Sequence, residues 1–500
     1  MKKIFVRSLA LCAFAASAAA EEFYFTGEGT PTTANPSNAW STLADGSLVP
    51  ADRPPMQGED NLIFDGAYAK SNTLYVTTAD NYGNDMIVRG LSQQSIYVNA
   101  GREVAGQDVY WELSGKLFVS GVEGIWDGSN FTDNSKTLAL SYTDNSVSET
   151  SGPPRINFSA DSIEITADGT TAVDNVTHKA QISLGTSGKA LNSITVAGGV
   201  DLYSRTSLTL NAATVKIGGV VNFHATSYRN AAVMKLNASA GTSMRVEVGG
   251  LVSNGQCAEI ANASNSAGTE TTLVFKNAAG TDYSYGGKLM DGGYGAGESV
   301  HLSKLNIEMD GDGIQRLSPQ DPDNCFYTGT VTVKRGVLYL YNTKSAGDTY
   351  LEGGRLGVLY TGRVFSTTGF HWTAGAVLEL DVKNGQRDTL AIGGVLEKVG
   401  DGRLVFALDL TAGDYEAIGI GSSAKYDLLT AESLSNFGDS LDDDFEILGM
   451  DESKFDANFL FADNTLSVVI THVPEPAFAA AVLGAMAAAL AARRGRNRRK

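Results

Sequence analysis

Short alternating runs cut by glycine constrain this chain more than any other feature. From about residue 70 to 430, runs of four to seven residues alternate apolar and polar side chains. Examples are Thr73–Thr77 (TLYVT), Lys116–Ser120 (KLFVS) and Ser162–Thr166 (SIEIT). Period-two alternation with β-branched residues predicts half-buried strands, and 56 glycines predict many tight corners. No long amphipathic helical pattern interrupts them, so the expected class is all-β. One unit recurs: Ile194-Thr195-Val196-Ala197-Gly198-Gly199-Val200 returns around Gly218-Gly219, Gly249-Gly250 and Gly393-Gly394. The first two spacings are 20 and 31 residues. Such periods point to a β-solenoid, in which each coil turns at Gly-Gly and stacks on the next. At about 22 residues per coil and roughly 4.8 Å per rung, some sixteen coils would form a rod of about 80 Å. Two or three tandem β-sandwiches are the alternative, because they also place a strand every 8–12 residues or so.

Residues 327–410 carry a more specific pattern. Tyr327-Thr328-Gly329-Thr330-Val331-Thr332-Val333-Lys334-Arg335-Gly336-Val337-Leu338-Tyr339-Leu340 is followed by Leu351-Glu352-Gly353-Gly354-Arg355-Leu356. Lys398-Val399-Gly400-Asp401-Gly402-Arg403-Leu404 comes later. These units resemble the autotransporter-associated β-strand repeat, and the resemblance implies a right-handed parallel β-helix. That family continues into a translocator barrel of ten or so alternating membrane strands. Here a different tail follows, so the resemblance implies a passenger that leaves by another route.

Both ends read as addresses. Lys2, Lys3 and Arg7 precede the apolar stretch Ile4–Ala16, and Ala18-Ala19-Ala20 offers a cleavage site before Glu21. Leu11 before Cys12 does not suit a lipoprotein signal. At the other end, Val473-Pro474-Glu475-Pro476 leads into an uncharged run from Ala477 to Ala492. Six cations follow in the last eight residues, beginning with Arg493 and Arg494. Sixteen helical residues span about 24 Å, short of a hydrocarbon core of roughly 30 Å, so the run is expected to be a short hydrophobic helix and a marginal transmembrane anchor. The cations would hold its end in the cytoplasm. Val473 to Lys500 resembles the PEP-CTERM sorting signal of Gram-negative bacteria. The resemblance implies Sec export, a transient single-pass inner-membrane anchor and cutting near Pro474–Pro476 by an exosortase, a cysteine protease-like enzyme. The product would reach the cell surface or extracellular matrix.

Without both signals the body carries 29 basic and 55 acidic groups, a net charge of −26. That balance argues against nucleic acid or anionic lipid as a partner. Cys257 and Cys325 remain, and sequence leaves open whether they pair. The five histidines, His178, His224, His301, His371 and His472, lack metal-ligand spacing. Ser422-Ser423-Ala424-Lys425 matches S-x-x-K without the motifs that accompany it in enzymes. Gly293-Tyr294-Gly295-Ala296-Gly297 lacks a phosphate loop's spacing. Asp310-Gly311-Asp312-Gly313 begins like a calcium loop, but Ile314 stands at the third ligand position. Calcium there or near Asp321 and Asp323 is weighed below a solvated turn. Trp126, Trp372, Tyr339 and Tyr341 could stack on sugars, though strand aromatics more often pack inward.

The expected organisation is a signal peptide (1–20), N-terminal lead-in or cap strands (21–69), solenoid repeats (70–430), a C-terminal cap (431–472) and a sorting tail (473–500). The cap includes the acidic Asp442-Asp443-Asp444, which would oppose end-to-end stacking. No catalytic set or cofactor is expected. The leading function is a non-enzymatic, structural or adhesive surface or matrix protein, in contact with extracellular polysaccharide. The alternatives are a polysaccharide lyase or hydrolase, which needs converging carboxylates, and a glycan-binding module, which needs an exposed aromatic strip.

Overall fold

The computed structural model describes most of residues 105–473, apart from internal segments of which 168–179 is the longest. Before it, the model describes isolated strands from Glu22 to Ala100, and beyond it residues 483–491. The body is an all-β solenoid. Each regular coil contributes three short strands, one to each of three parallel stacks. Arg155–Ala160 lies on the first face, Ser162–Ala167 on the second and Ala180–Leu184 on the third. Leu191–Val196, Val200–Leu202 and Thr206–Leu210 form the next coil in the same order. The third face is a ten-stranded sheet. The first two faces, with both ends, join into a 27-stranded sheet because strands such as Ala212–Phe223 run round the corner between them.

The alternation read from the sequence decides which side chains enter the core. In Arg155–Ala160, Ile156, Phe158 and Ala160 are buried while Arg155, Asn157 and Ser159 face outward or sit at the edge. Register then aligns one inward residue per coil. On the first face Trp111, Phe158, Ile194, Val215, Val246, Leu273, Ile307, Val331, Thr349, Phe370, Leu396 and Leu434 are successive partners. Burying a large apolar side chain contributes roughly 1.5–3 kcal/mol, and the coils share one continuous apolar core.

The ladder corrects the expected coil size. Its steps vary from 18 residues (Val331 to Thr349) to 47 (Trp111 to Phe158), because loops of unequal length leave the corners. Among the described residues the second face has fifteen rungs, from Glu22–Phe25 to Phe445–Ile447. At about 4.8 Å per rung the described stack is roughly 70 Å long.

Gly-Gly does mark corners. A Cβ on Gly219 would meet the Gly198 backbone, and one on Gly249 would meet Gly218 and Gly219, so these pairs stack between the first and second faces. Gly311, Gly336 and Gly354 continue the column. Gly393-Gly394 lies elsewhere: Leu390–Ile392 pairs ahead of it and Val395–Glu397 behind it, at the turn into the first face.

One rung is made by a side chain. Gln315 is fully buried on the second face. Its Oε1 accepts the Leu251 N–H at 3.0 Å, and its Nε2 donates to Leu251 O at 3.1 Å. An amide at this position satisfies backbone groups that would be costly to leave unpaired.

At the C-terminal end the pairing changes sense. Ser423–Ser435 pairs in parallel with Thr389–Lys398 and antiparallel with Thr465–His472, which also pairs with Phe455–Ala462. Trp372, Phe406, Phe437, Phe445 and Phe459 stack beneath this hairpin. The acidic turn is more than a solvated stop. Asp444 is buried against Lys398 at 2.5 Å, and Asp442 Oδ1 accepts the Phe459 N–H at 2.7 Å. That carboxylate occupies a backbone donor on the strand Phe455–Ala462, which blunts an edge.

Candidate functional site

Among the processing residues named from the sequence, the structure describes Val473. It ends the body: its N–H donates to Lys454 O at 2.8 Å, and it is exposed. Ala20, Glu21, Pro474, Glu475, Pro476, Arg493 and Arg494 lie outside the described residues. The hydrophobic helix expected over Ala477 to Ala492 is described over 483–491, where every residue is exposed. Among the described residues no helix is long and apolar enough to cross a membrane, so the transmembrane expectation is not met by what is described.

The candidate calcium turn is occupied by cations of the chain itself. Asp310 pairs with Lys276 at 2.5 Å and Arg335 at 2.9 Å, and Asp312 pairs with Arg335 at 3.0 Å. Burial pushes the Asp310 carboxyl up, but hydrogen bonds from Lys276 and Arg335 outweigh it and hold the group below its ordinary value. Glu308 is held down in the same way by Arg245 and Lys334 against its burial. No cluster of three or more metal-ligating side chains occurs among the described residues. Asp321 and Asp323 lie outside them.

The described histidines each have a partner. His224 shares a 2.8 Å hydrogen bond with Asp201 and stacks on Tyr203. His371 meets Glu397 at 2.7 Å and stacks on Tyr350. His472 meets Ile418 O at 2.7 Å. His178 and His301 are outside the described residues, as are Cys325 and the Gly293–Gly297 segment; Cys257 is buried and free. Lys425 of the S-x-x-K match pairs with Asp427 rather than with Ser422. Trp372 is core. Tyr339 lies under Arg316, whose guanidinium is 4.5 Å from the ring centroid and donates to the Tyr341 hydroxyl at 2.9 Å. No aromatic strip is exposed there. The Trp126 side chain is not described.

Sequence reasoning missed a cavity of about 270 Å³ where the third face turns into the first. Tyr142 and Asn211 end or follow third-face strands, whereas Arg155, Asn192 and Ser243 begin first-face strands. Residues more than 100 positions apart meet there only because coils stack. Asn211 locks the corner. Its N–H donates to Leu184 O and its carbonyl accepts from Leu191 N, both at 2.8 Å, and its Nδ2 donates to Thr186 O at 2.6 Å. Its Oδ1 is buried without a donor.

Comparison with known proteins found no matching family model, no matching curated protein and no matching solved structure.

Proposed function

We propose that this chain is an exported, non-enzymatic β-solenoid, a structural or adhesive component of the cell surface or extracellular matrix. Sec machinery delivers it, the tail anchors it transiently in the inner membrane, and an exosortase-like protease releases it near Pro474–Pro476. The observation that carries this reading is the exposed helix 483–491. Leu483, Met486 and Leu490 are 60–67% exposed, an arrangement that favours an apolar partner outside the body and leaves the body whole when the tail is removed. Charge pairing supports a scaffold role. Glu308 pairs with Arg245 two coils before it and with Lys334 on the next coil, and Asp282 and Arg316 join adjacent coils, so many ionic side chains serve the rod itself.

Fractionation of the native host with terminal mass spectrometry tests the proposal. A form that starts at Glu21, ends between Pro474 and Pro476 and is recovered from matrix or medium is the expected result. A chain intact through Lys500 in the inner membrane overturns it.

A further inference from the structure

We propose that the corner cavity binds one neutral sugar ring of a glycan chain. The inference rests on the exported-scaffold reading for where the glycan is met, and on the cavity for its chemistry. The walls combine two kinds of surface. Pro153, Pro154 and Tyr142 supply flat apolar area, and Asn192, Thr242 and Ser243 supply amide and hydroxyl groups. Sugars present the same mixture: C–H faces that rest on apolar surface and hydroxyls that both donate and accept.

Charge selects among sugars. Arg155 is the charged residue of the lining, and Asp108 holds its guanidinium through two hydrogen bonds of 2.7 and 3.0 Å. Its donors on that side are taken and its charge is balanced, so an anionic ligand finds no free cation. The net charge of −26 on the body repels such a ligand further. Neutral hydroxyl groups face no such penalty.

Size and placement limit the occupant. About 270 Å³ is at or below the small end of ligand sites, roughly 300–1,000 Å³, and suits one ring rather than an enclosed oligosaccharide. Asn192, Thr242 and Ser243 are exposed, so neighbouring rings can continue into solvent on the flank of the rod. The side-chain amide of Asn192 already donates to Asn157 Oδ1 at 2.8 Å, which leaves its own oxygen as an acceptor for a sugar hydroxyl. The Asn157 acceptor also takes the Ser193 hydroxyl at 2.7 Å, so the Asn192 side chain is held by a network rather than free to turn.

The test uses the full-length chain, isothermal titration calorimetry and saturation-transfer NMR. The probes are pentasaccharides of β-1,4-glucose, β-1,3-glucose, α-1,4-glucose, β-1,4-mannose and β-1,4-N-acetylglucosamine, with pentagalacturonate as the acidic comparison. At least one neutral probe should bind at one site, and pentagalacturonate should bind at least tenfold more weakly. Ser243→Trp fills the mouth from an exposed position and should weaken binding at least tenfold with an unchanged melting temperature. Asn192→Ala, also at an exposed position, should weaken it several-fold. The proposal is overturned if no neutral probe binds, if pentagalacturonate binds as tightly, or if both variants bind as the parent does. Failure here beside a matrix-located, trimmed protein leaves the scaffold reading standing. Binding by a chain found intact in the inner membrane does the reverse.

Discussion

Two halves of one ladder on the third face obey different chemistry. In the first half the aligned inward residues are Val98, Leu140, Leu184, Leu210 and Leu236. In the second, the same register places Asn262 and then Asp291. Both sets are buried. What differs is the backbone at the corner that follows. The carbonyl of each leucine accepts the first N–H beyond the strand of the next coil: Gly185 to Leu140, Asn211 to Leu184, Asn237 to Leu210 and Ala263 to Leu236. At Asp291 the side chain is the acceptor. Its carboxylate accepts the N–H groups of Leu305 and Thr328, each at 2.6 Å, and the Thr328 hydroxyl at 2.5 Å. Asn262 likewise donates to Lys304 O at 2.9 Å. Position in the ladder fixes burial. Where the residue is polar, its side chain pairs with backbone groups of a neighbouring coil, two N–H donors at Asp291 and one carbonyl at Asn262.

Exchanging the chemistry of the two halves should give the largest effects. Leu210→Asn places an amide where neighbouring backbone groups already have partners and removes an aliphatic side chain from the core. It should cost about 4 kcal/mol or more, summing a large-to-small core loss and an unsatisfied polar group. Loss of the cooperative urea transition, or a large fall in its midpoint, is the expected readout; a midpoint within error of the parent breaks the comparison. Asp291→Ala should cost about 3 kcal/mol, since two N–H donors lose their acceptor in a buried setting. Hydrogen exchange should accelerate at Leu305 and Thr328 while Gly185 and Asn211 keep their protection. Uniform acceleration at all four would mean that Asp291 serves global stability and not that corner.

The aliphatic half is the part a reader of the sequence can see. Strands such as Lys116–Gly121 and Ser162–Ala167 announce themselves by strict alternation, and their inward residues are buried as the pattern requires. Asn262, Asp291 and Gln315 are invisible to the same reading. Asn and Asp in a glycine-rich chain signal turns, and nothing local shows that a carboxylate must meet an N–H 14 or 37 residues away. The corners were half legible. Gly198, Gly218 and Gly249 recur as pairs, whereas Gly311 was embedded in a calcium-like run and Gly336 stood alone. The cavity was not legible at all, because Tyr142, Asn192 and Ser243 become neighbours only through a register set by loops of unequal length.

A glycine test sharpens the comparison at the corner between the first and second faces. Gly336 has φ of +64°, and a Cβ there would press on Gly311 O and lie 2.7 Å from Gly313 O. Gly375 has φ of +80° with nothing within 4 Å of its Cβ position. Alanine at either position carries the left-handed strain, on the order of 1 kcal/mol. Alanine at Gly336 adds collision with the coil below, for a total of about 2 kcal/mol or more. Equal destabilisation in paired urea titrations would mean that glycine is needed there for conformation alone and that close stacking of coils adds nothing.

The smallest effect concerns the outer side of the strand that carries Asn262. Glu259 aligns with Val233 on one side and Lys288 on the other and is 5% exposed, with one carboxylate oxygen lacking a partner. Burial pushes its carboxyl from 4.5 to about 6, while Lys288 and Lys235 pull weakly the other way. A raised pKa means that the folded chain holds its proton after the unfolded chain has lost it. Below about pH 4.5 both states are protonated and the site costs nothing. Stability falls as pH rises from there to about 6, and above that the full penalty, on the order of 2 kcal/mol, is present. Glu259→Gln removes the charge and keeps the shape. It should stabilise the chain by about 1–2 kcal/mol at pH 7.5 and leave it nearly unchanged at pH 4. The sign is opposite to that expected for Asp291→Ala, although both acids belong to the same third-face stack: one carboxylate is buried with its donors and the other with an oxygen that has none. Equal effects of Glu259→Gln at the two pH values would show that the ionised carboxylate finds solvation that its burial does not suggest. The contrast between the two acids would then rest on Asp291 alone.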